Sequence, residues 1–461
     1  MKAFTDEGTT MAKIAIIGAG GYVFPFRLIG DLLSFPALQN STLALMDIDA
    51  ERLERTATAA RELIEHHGLP AAVLETTDRK EALDAADYVI ITFQVGGVDA
   101  YRHDVEIPRR YGIDQTVGDT VGPGGVFRFL RSVPAYRELA SDIHALCPGA
   151  QVINYANPMA MATWYLTSLG LRPVGLCHSV QGTTRMLARE LDIPYGEVRY
   201  LSAGINHQAW ILDFRRGNQD LYPDLRRRMQ RHLNWQDTTG LADDDGDHSG
   251  VDRGVSTYEG GIERVRTSIM DAFGYFHTES SHHASEYLPY FRKNPELVRD
   301  FVPVRWDYYE ICRDHDEDEK IITALAELKD ELAPSVEYGA VIVNSMETNR
   351  PGVIYGNVEN REIIPNLPEG SCVEVPCLVD GNGIQPIAVG PLPPQCAAVN
   401  RTNVNVQELA VQAALTGNRE HVYQAVMLDP LTGAQLTLQQ IRTMVDELFE
   451  AHAPLLPSEL L

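Results

Sequence analysis

The chain has 461 residues, 39 Lys+Arg against 64 Asp+Glu for a formal net charge of −25, and 44% hydrophobic residues. That length exceeds one minimal core and fits one large domain or two ordinary ones, with the apolar and charged balance of a soluble globular protein. So negative a chain repels phosphate backbones, and its basic runs, Arg109-Arg110 and Arg226-Arg227-Arg228, are short, so no nucleic-acid partner is expected.

The opening residues, MKAFTDEGTTM, carry acids and no apolar h-region, and read as a loose tail. No apolar run approaches the roughly 18 residues that span a bilayer, so no membrane partner is expected. The six cysteines, Cys147, Cys177, Cys312, Cys372, Cys377 and Cys396, lack close paired spacings, which points to reduced thiols and a cytoplasmic location.

Taken in chain order, short β-branched runs alternate with amphipathic stretches of helical period from 13 to about 191. The runs are KIAIIG (13–18), TLALMD (42–47), YVIITF (88–93), QVINYA (151–156) and PVGLCH (173–178), with helices between them such as 50–67 and 133–147. This alternation predicts an α/β fold, a Rossmann-type doubly wound parallel sheet over 12–195. Beyond it come an antiparallel pair (198–204 and 208–215) and an acidic segment, Asp243-Asp244-Asp245-Gly246-Asp247, read as a solvated loop. Helices follow at 319–332, 406–416 and 441–452, with strands near 353–358 and 372–378. The second half therefore reads as an α+β domain, 196–461.

The first strand runs into Gly18-Ala19-Gly20-Gly21 and then a short helix, a bend where backbone can approach a pyrophosphate above a helix N-terminus. The third glycine of the usual fingerprint is replaced by Val23. Asp47, ending the second strand, can accept from both ribose hydroxyls and repels a 2′-phosphate, so NAD is favoured over NADP. Gln94-Val95-Gly96-Gly97 would lie at the same sheet edge.

Three further segments should reach that edge. They are 118–125 (GDTVGPGG), read as a loop too glycine-rich for a packed element and carrying Asp119, then 154–159 (NYANPM) with Asn157, and 177–182 (CHSVQG). Downstream, His207 sits at the turn of the antiparallel pair. Cys177 and His207 offer one thiolate and one imidazole, a pair able to hold a divalent transition metal with open positions for substrate. Each fragment has a plainer reading taken alone: a strand-to-helix turn, a helix-start Asn-Pro, a packed thiol, a structural histidine.

In this order the segments resemble glycoside hydrolase family 4, the NAD- and metal-dependent glycosidases, and most nearly its α-galactosidase branch. The likeness extends through LCHSVQGT (176–183), AGINHQA (203–209), TESSHHASEY (278–287), VIYGNV (353–358) and VEVPCLVDGNGIQPIAV (373–389). It implies hydride removal from C3 of the sugar by NAD, polarisation of the C3 oxygen by a metal, manganese first, then loss of the C2 proton and elimination of the glycosidic oxygen. Water then adds at C1 and the hydride returns, outside the usual two-carboxylate scheme.

The resemblance also implies roles. Gly18, Gly20, Gly21 and Asp47 would hold NAD, joined by Gln94 on the placement of its own loop, and Cys177 and His207 would hold the metal. Asn157 and His178 would meet the sugar, His178 as leaving-group acid, and Asp119 would support the base. For the base itself Tyr258, Glu279 and His283 are candidates, with Glu279 alternatively a substrate contact and Tyr258 alternatively a packing residue. The expected partner is a small oligosaccharide or glycoside, in an oligomer of identical chains.

Three alternatives stay open, the barest a sugar-sensing protein without chemistry, which would tolerate Cys177→Ser. A uronic-acid-specific relative would need a cation at the sugar's C6 carboxylate, for which Arg292 or Lys293 could serve, although a solvated basic pair is the plainer reading. A lactate/malate-type dehydrogenase shares the glycine turn and Asp47, but predicts net NADH and no metal.

Overall fold

The computed structural model describes residues 11–21, 23–234, 263–302, 307–313 and 317–461. Tyr258 and the acidic segment 243–247 lie outside these. Among the described residues twelve strands form one sheet: β1 (Lys13–Ile17), β2 (Thr42–Met46), β3 (Ala72–Thr76), β4 (Tyr88–Ile91), β5 (Gln151–Asn154), β6 (Pro173–Gly175), β7 (Val198–Ile205), β8 (Gln208–Arg216), β9 (Gln219–Asp220), β10 (Gly352–Glu359), β11 (Cys372–Asp380) and β12 (Gly383–Pro386).

The first six strands pair in parallel in the order β3-β2-β1-β4-β5-β6, the doubly wound Rossmann arrangement. The inner strands β1, β2 and β4 are largely apolar on both faces because both faces are covered. In β1, Ile14 and Ile16 enter one core while Ala15 and Ile17 enter the other; β2 and β4 divide their residues in the same way. Helices Val23–Ser34 and Ala50–His67 pack on the first face, and Gly122–Leu146 with Leu438–His452 on the second. Asp49 caps the helix Ala50–His67, accepting from the Glu51 and Arg52 amides at 3.1 Å.

Beyond β6 the sheet continues antiparallel as β10-β11-β7-β8-β9, with β12 on β11. The later strands thus enter between β6 and the β7–β8 hairpin, so β6, which ends two residues before Cys177, lies in the same sheet as the hairpin carrying His207. Segment 118–125 corrects the sequence reading of a loop: from Gly122 it is the buried first turn of helix Gly122–Leu146. A side chain at Gly124 would stand 2.5 Å from the Asp104 carbonyl oxygen, and one at Gly125 2.5 Å from the Thr120 carbonyl carbon, so these glycines serve close packing. None of the six cysteines forms a disulfide. No helix among the described residues is long and apolar enough to cross a membrane.

Candidate active site

At the carboxyl end of β1 the backbone folds over β2: the Gly18 and Ala19 amides donate to the Met46 carbonyl at 2.9 and 3.0 Å. The Gly20 amide donates to Asp47 Oδ2 at 2.9 Å, and the Asp49 amide to Oδ1 at 3.0 Å. Asp47 is thereby fixed while both oxygens keep a lone pair for hydroxyl donors. Gly18 has φ +97°, and a side chain there would meet the Phe93 backbone at 2.6 Å; at Gly20 it would meet Asp47 Cγ at 2.9 Å. Gly21 closes the turn with its amide on the Gly18 carbonyl. These glycines therefore let the turn pack tightly against β2 and Phe93, the close strand-to-helix bend at which backbone can approach a dinucleotide's pyrophosphate.

The neighbouring loop is braced from beneath. Gln94 is exposed and its Nε2 donates to the Gly97 carbonyl at 2.8 Å. Arg131 donates to the Val95 carbonyl at 2.8 Å and pairs with buried Asp104 at 2.7 Å, which also contacts His452 Nε2 at 3.0 Å. A histidine near the end of the chain therefore supports a loop of the nucleotide half.

Cys177 follows β6, and His207 occupies the two-residue turn between β7 and β8 at φ +61°. Glu279 joins them: one ligand atom from each of Cys177, His207 and Glu279 lies within 4.8 Å of the other two, with His207 Nε2 and Glu279 Oε2 3.6 Å apart. Burial pushes the His207 imidazole down to about 4 against the pull of Glu279, so it is neutral, as a metal ligand must be. Its Nδ1 lies 3.2 Å from the Tyr287 hydroxyl; a metal on Nε2 would place the ring proton on Nδ1, donating to that oxygen.

Burial opposes the charge on Glu279, but the imidazoles around it and the Ser280 amide outweigh burial and hold its carboxyl below the usual range. Burial, with Glu279 and Glu374, pushes the Cys177 thiol well above its ordinary value, so a divalent cation would have to displace its proton. A buried thiol, a neutral imidazole and a carboxylate with no Lys or Arg ion-paired to it among the described residues form a donor set suited to a transition metal.

Asp119 is buried beside this cluster. Burial works against its charge, and Arg128, His283, Thr120 and His207 more than offset it, holding its carboxyl below the usual range. The Asn157 Nδ2 donates to Asp119 at 3.4 Å, Thr120 at 2.5 Å, and Arg128 stands 3.8 Å away. His178, at the start of helix Ser179–Glu190, is half-exposed with Nδ1 3.3 Å from Glu337. Desolvation lowers its pKa, but the Glu337 hydrogen bond and charge win, and the net shift is upward. The His283 ring lies 4.8 Å from that of His207, and its buried Nε2 has no hydrogen-bond partner.

Three residues escaped the sequence reading. Glu337 orients His178, and Tyr287 orients His207. Buried Glu286 accepts the Thr116, Val117 and Gly118 amides at 2.7, 2.8 and 3.0 Å, clamping the segment that leads to Asp119. Glu286 and Tyr287 both lie within TESSHHASEY, so the motif marked their neighbourhood without giving their roles. The basic pair at 292–293 is not solvated as a unit: Lys293 is exposed, but Arg292 is buried and donates to Asp114 and Ser285.

The chain matches the model of the family 4 glycosyl hydrolases over residues 13–193, and that of the family 4 glycosyl hydrolase C-terminal domain over 202–432. The protein belongs to glycosyl hydrolase family 4 and is a glycoside hydrolase. It is 40% identical to an α-galactosidase of Bacillus subtilis (strain 168) over 97% of this chain and 99% of that one. It is 30% identical to an α-galacturonidase of Thermoanaerobacterium saccharolyticum, over 97% of each chain. In fold it resembles a 6-phospho-α-glucosidase from gut microorganisms solved with NAD and Mn2+, with a TM-score of 0.74 at 21% identity, covering 97% of this chain and 99% of that one.

Proposed function

We propose that this hydrolase is an α-galactosidase acting through bound NAD and a divalent metal, manganese first. The observation that carries the reading is the meeting of Cys177, His207 and Glu279 at the sheet edge that also holds the glycine turn and Asp47, in a chain so similar to an α-galactosidase over its whole length. When bound, NAD would accept and return a hydride at C3 of the sugar while the metal withdraws charge from the C3 oxygen, making the C2 proton removable.

The chain's own groups do the rest. Gly18, Gly20 and Gly21 let the backbone reach the pyrophosphate, Asp47 takes the ribose hydroxyls, and Gln94 shapes the adjoining loop. Cys177 and His207 hold the metal. Asn157, tethered to Asp119, holds sugar hydroxyls. His178, whose pKa Glu337 raises, delivers a proton to the departing glycosidic oxygen. Asp119 adds a fixed negative charge beside the base, for which Tyr258, Glu279 and His283 were the candidates. Of the two described, His283 has the open ring nitrogen, whereas Glu279 sits with the metal pair.

A uronide-specific reading is favoured by the likeness to the α-galacturonidase, but the charges point the other way. Arg292 is engaged with Asp114, Arg128 stands beside Asp119, and the buried acids Asp119 and Glu279 would repel an anionic sugar. Turnover of 4-nitrophenyl α-galactoside should exceed that of the matching α-galacturonide and α-glucuronide, should require NAD without net NADH, and should stop with a chelator. Faster hydrolysis of a uronide would overturn the choice of sugar.

A further inference from the structure

Resting on the metal site of that reading, we propose that Glu279 is a third protein ligand of the divalent ion, so that Cys177, His207 and Glu279 hold the ion before any sugar binds. Donors sharing one transition-metal ion at about 2.0–2.3 Å stand roughly 3–4.5 Å apart. His207 Nε2 and Glu279 Oε2 are 3.6 Å apart, and all three donor atoms fall within 4.8 Å of one another, close to that spacing.

The backbone shows how the third donor is fixed. Segment 276–278 runs beside β8: the Ile211 amide donates to the Phe276 carbonyl at 2.8 Å, and the Thr278 amide to the Ala209 carbonyl at 2.8 Å. The Thr278 hydroxyl accepts from the Ala209 amide at 3.0 Å. His207 and Glu279 are thus brought together by one pairing register. Both have positive φ, +61° and +74°, in a region that side chains seldom occupy, so two unfavourable conformations converge on one point. The carboxylate is buried, and its partners are the His207 ring and the Ser280 amide. A divalent cation would give this buried carboxylate a full opposite charge, beyond what the neighbouring rings supply. One hard oxygen, one imidazole and one thiolate suit a Mn2+- or Co2+-like ion better than Mg2+.

The experiment is a titration of the full-length, NAD-loaded, sugar-free protein with Co2+, followed by thiolate-to-cobalt charge-transfer and visible ligand-field absorption, and with Mn2+, followed by the electron paramagnetic resonance of the free ion. The wild type should bind one equivalent of either. Glu279→Gln should raise both dissociation constants at least about tenfold and change the ligand-field bands, while the thiolate band persists. A Glu279→Gln dissociation constant within about twofold of the wild type, whatever happens to turnover, would overturn the proposal and leave Glu279 as a base or sugar contact. If Glu279→Gln fails to fold by circular dichroism, the infrared difference spectrum of the wild type on Mn2+ loading decides. A shifted carboxylate stretch is expected, and its absence overturns the assignment. Should Cys177→Ser and His207→Ala also bind Co2+ like the wild type, the metal pair itself falls, a failure distinct from that of Glu279 alone.

Discussion

The nucleotide cradle and the metal cluster share one edge of the sheet yet are made of different material. The cradle is backbone: amides of Gly18, Ala19 and Gly20 laid over β2, with Asp47 held by two of its near neighbours, all inside one βαβ unit. The cluster is side chain: a residue after β6, one in the β7–β8 turn and one in a segment running beside β8, meeting at one buried point. The first therefore depends on what is missing, a Cβ, and the second on packing that crosses both halves of the molecule. Damage to one should leave the other measurable.

Cys177→Ser gives the sharpest division. It should cut turnover roughly a thousandfold or more, because a Lewis acid contributes several kcal/mol at the transition state. NAD binding, followed by calorimetry, should persist, and parallel loss of both would break the comparison. Glu286→Ala removes the acceptor of three buried amides and should cost about 3–5 kcal/mol in denaturant unfolding. Turnover should also fall as Asp119 shifts. Gly20→Ala acts on the other side: its Cβ would push on Asp47, weakening NAD at least about tenfold while Co2+ affinity holds.

The smallest effect concerns pH. His178 has its pKa raised in the fold, so its ion-pair contribution to stability is fully present below the ordinary imidazole value and is lost as pH rises through the folded value. As a proton donor it should give kcat an alkaline limb. Glu337→Gln removes the carboxylate that raises the pKa, so the limb should move to lower pH while metal affinity stays; a limb that does not move would remove His178 from the acid's role.

The same contrast explains what could be read from the sequence. The parallel strands announce themselves because both faces need apolar residues, and the glycine turn with Asp47 is a local pattern. Cys177 and His207 stood out as ligand types beside strands. Other features depend on three-dimensional pairing. The late entry of β10 and β11 between β6 and β7 leaves no short-range mark, and β3, with its half-exposed residues, lacks the apolar signal of β1. Glycine richness at 122–125 suggested a loop because tight helix packing and chain freedom use the same residue. Glu279 stands out in the sequence as a candidate base or substrate contact, and only the fold shows that it lies beside Cys177. Glu286 and Glu337 look like any carboxylate until their partners are known.

The central claim is that the glycosidic bond breaks by way of a removable C2 proton rather than by direct displacement. Hydrolysing 4-nitrophenyl α-galactoside in D2O and examining the galactose by proton NMR tests it directly. The account predicts deuterium at C2, with turnover dependent on NAD and metal. Galactose that keeps its original C2 hydrogen in full, formed at the same rate without NAD, would contradict it.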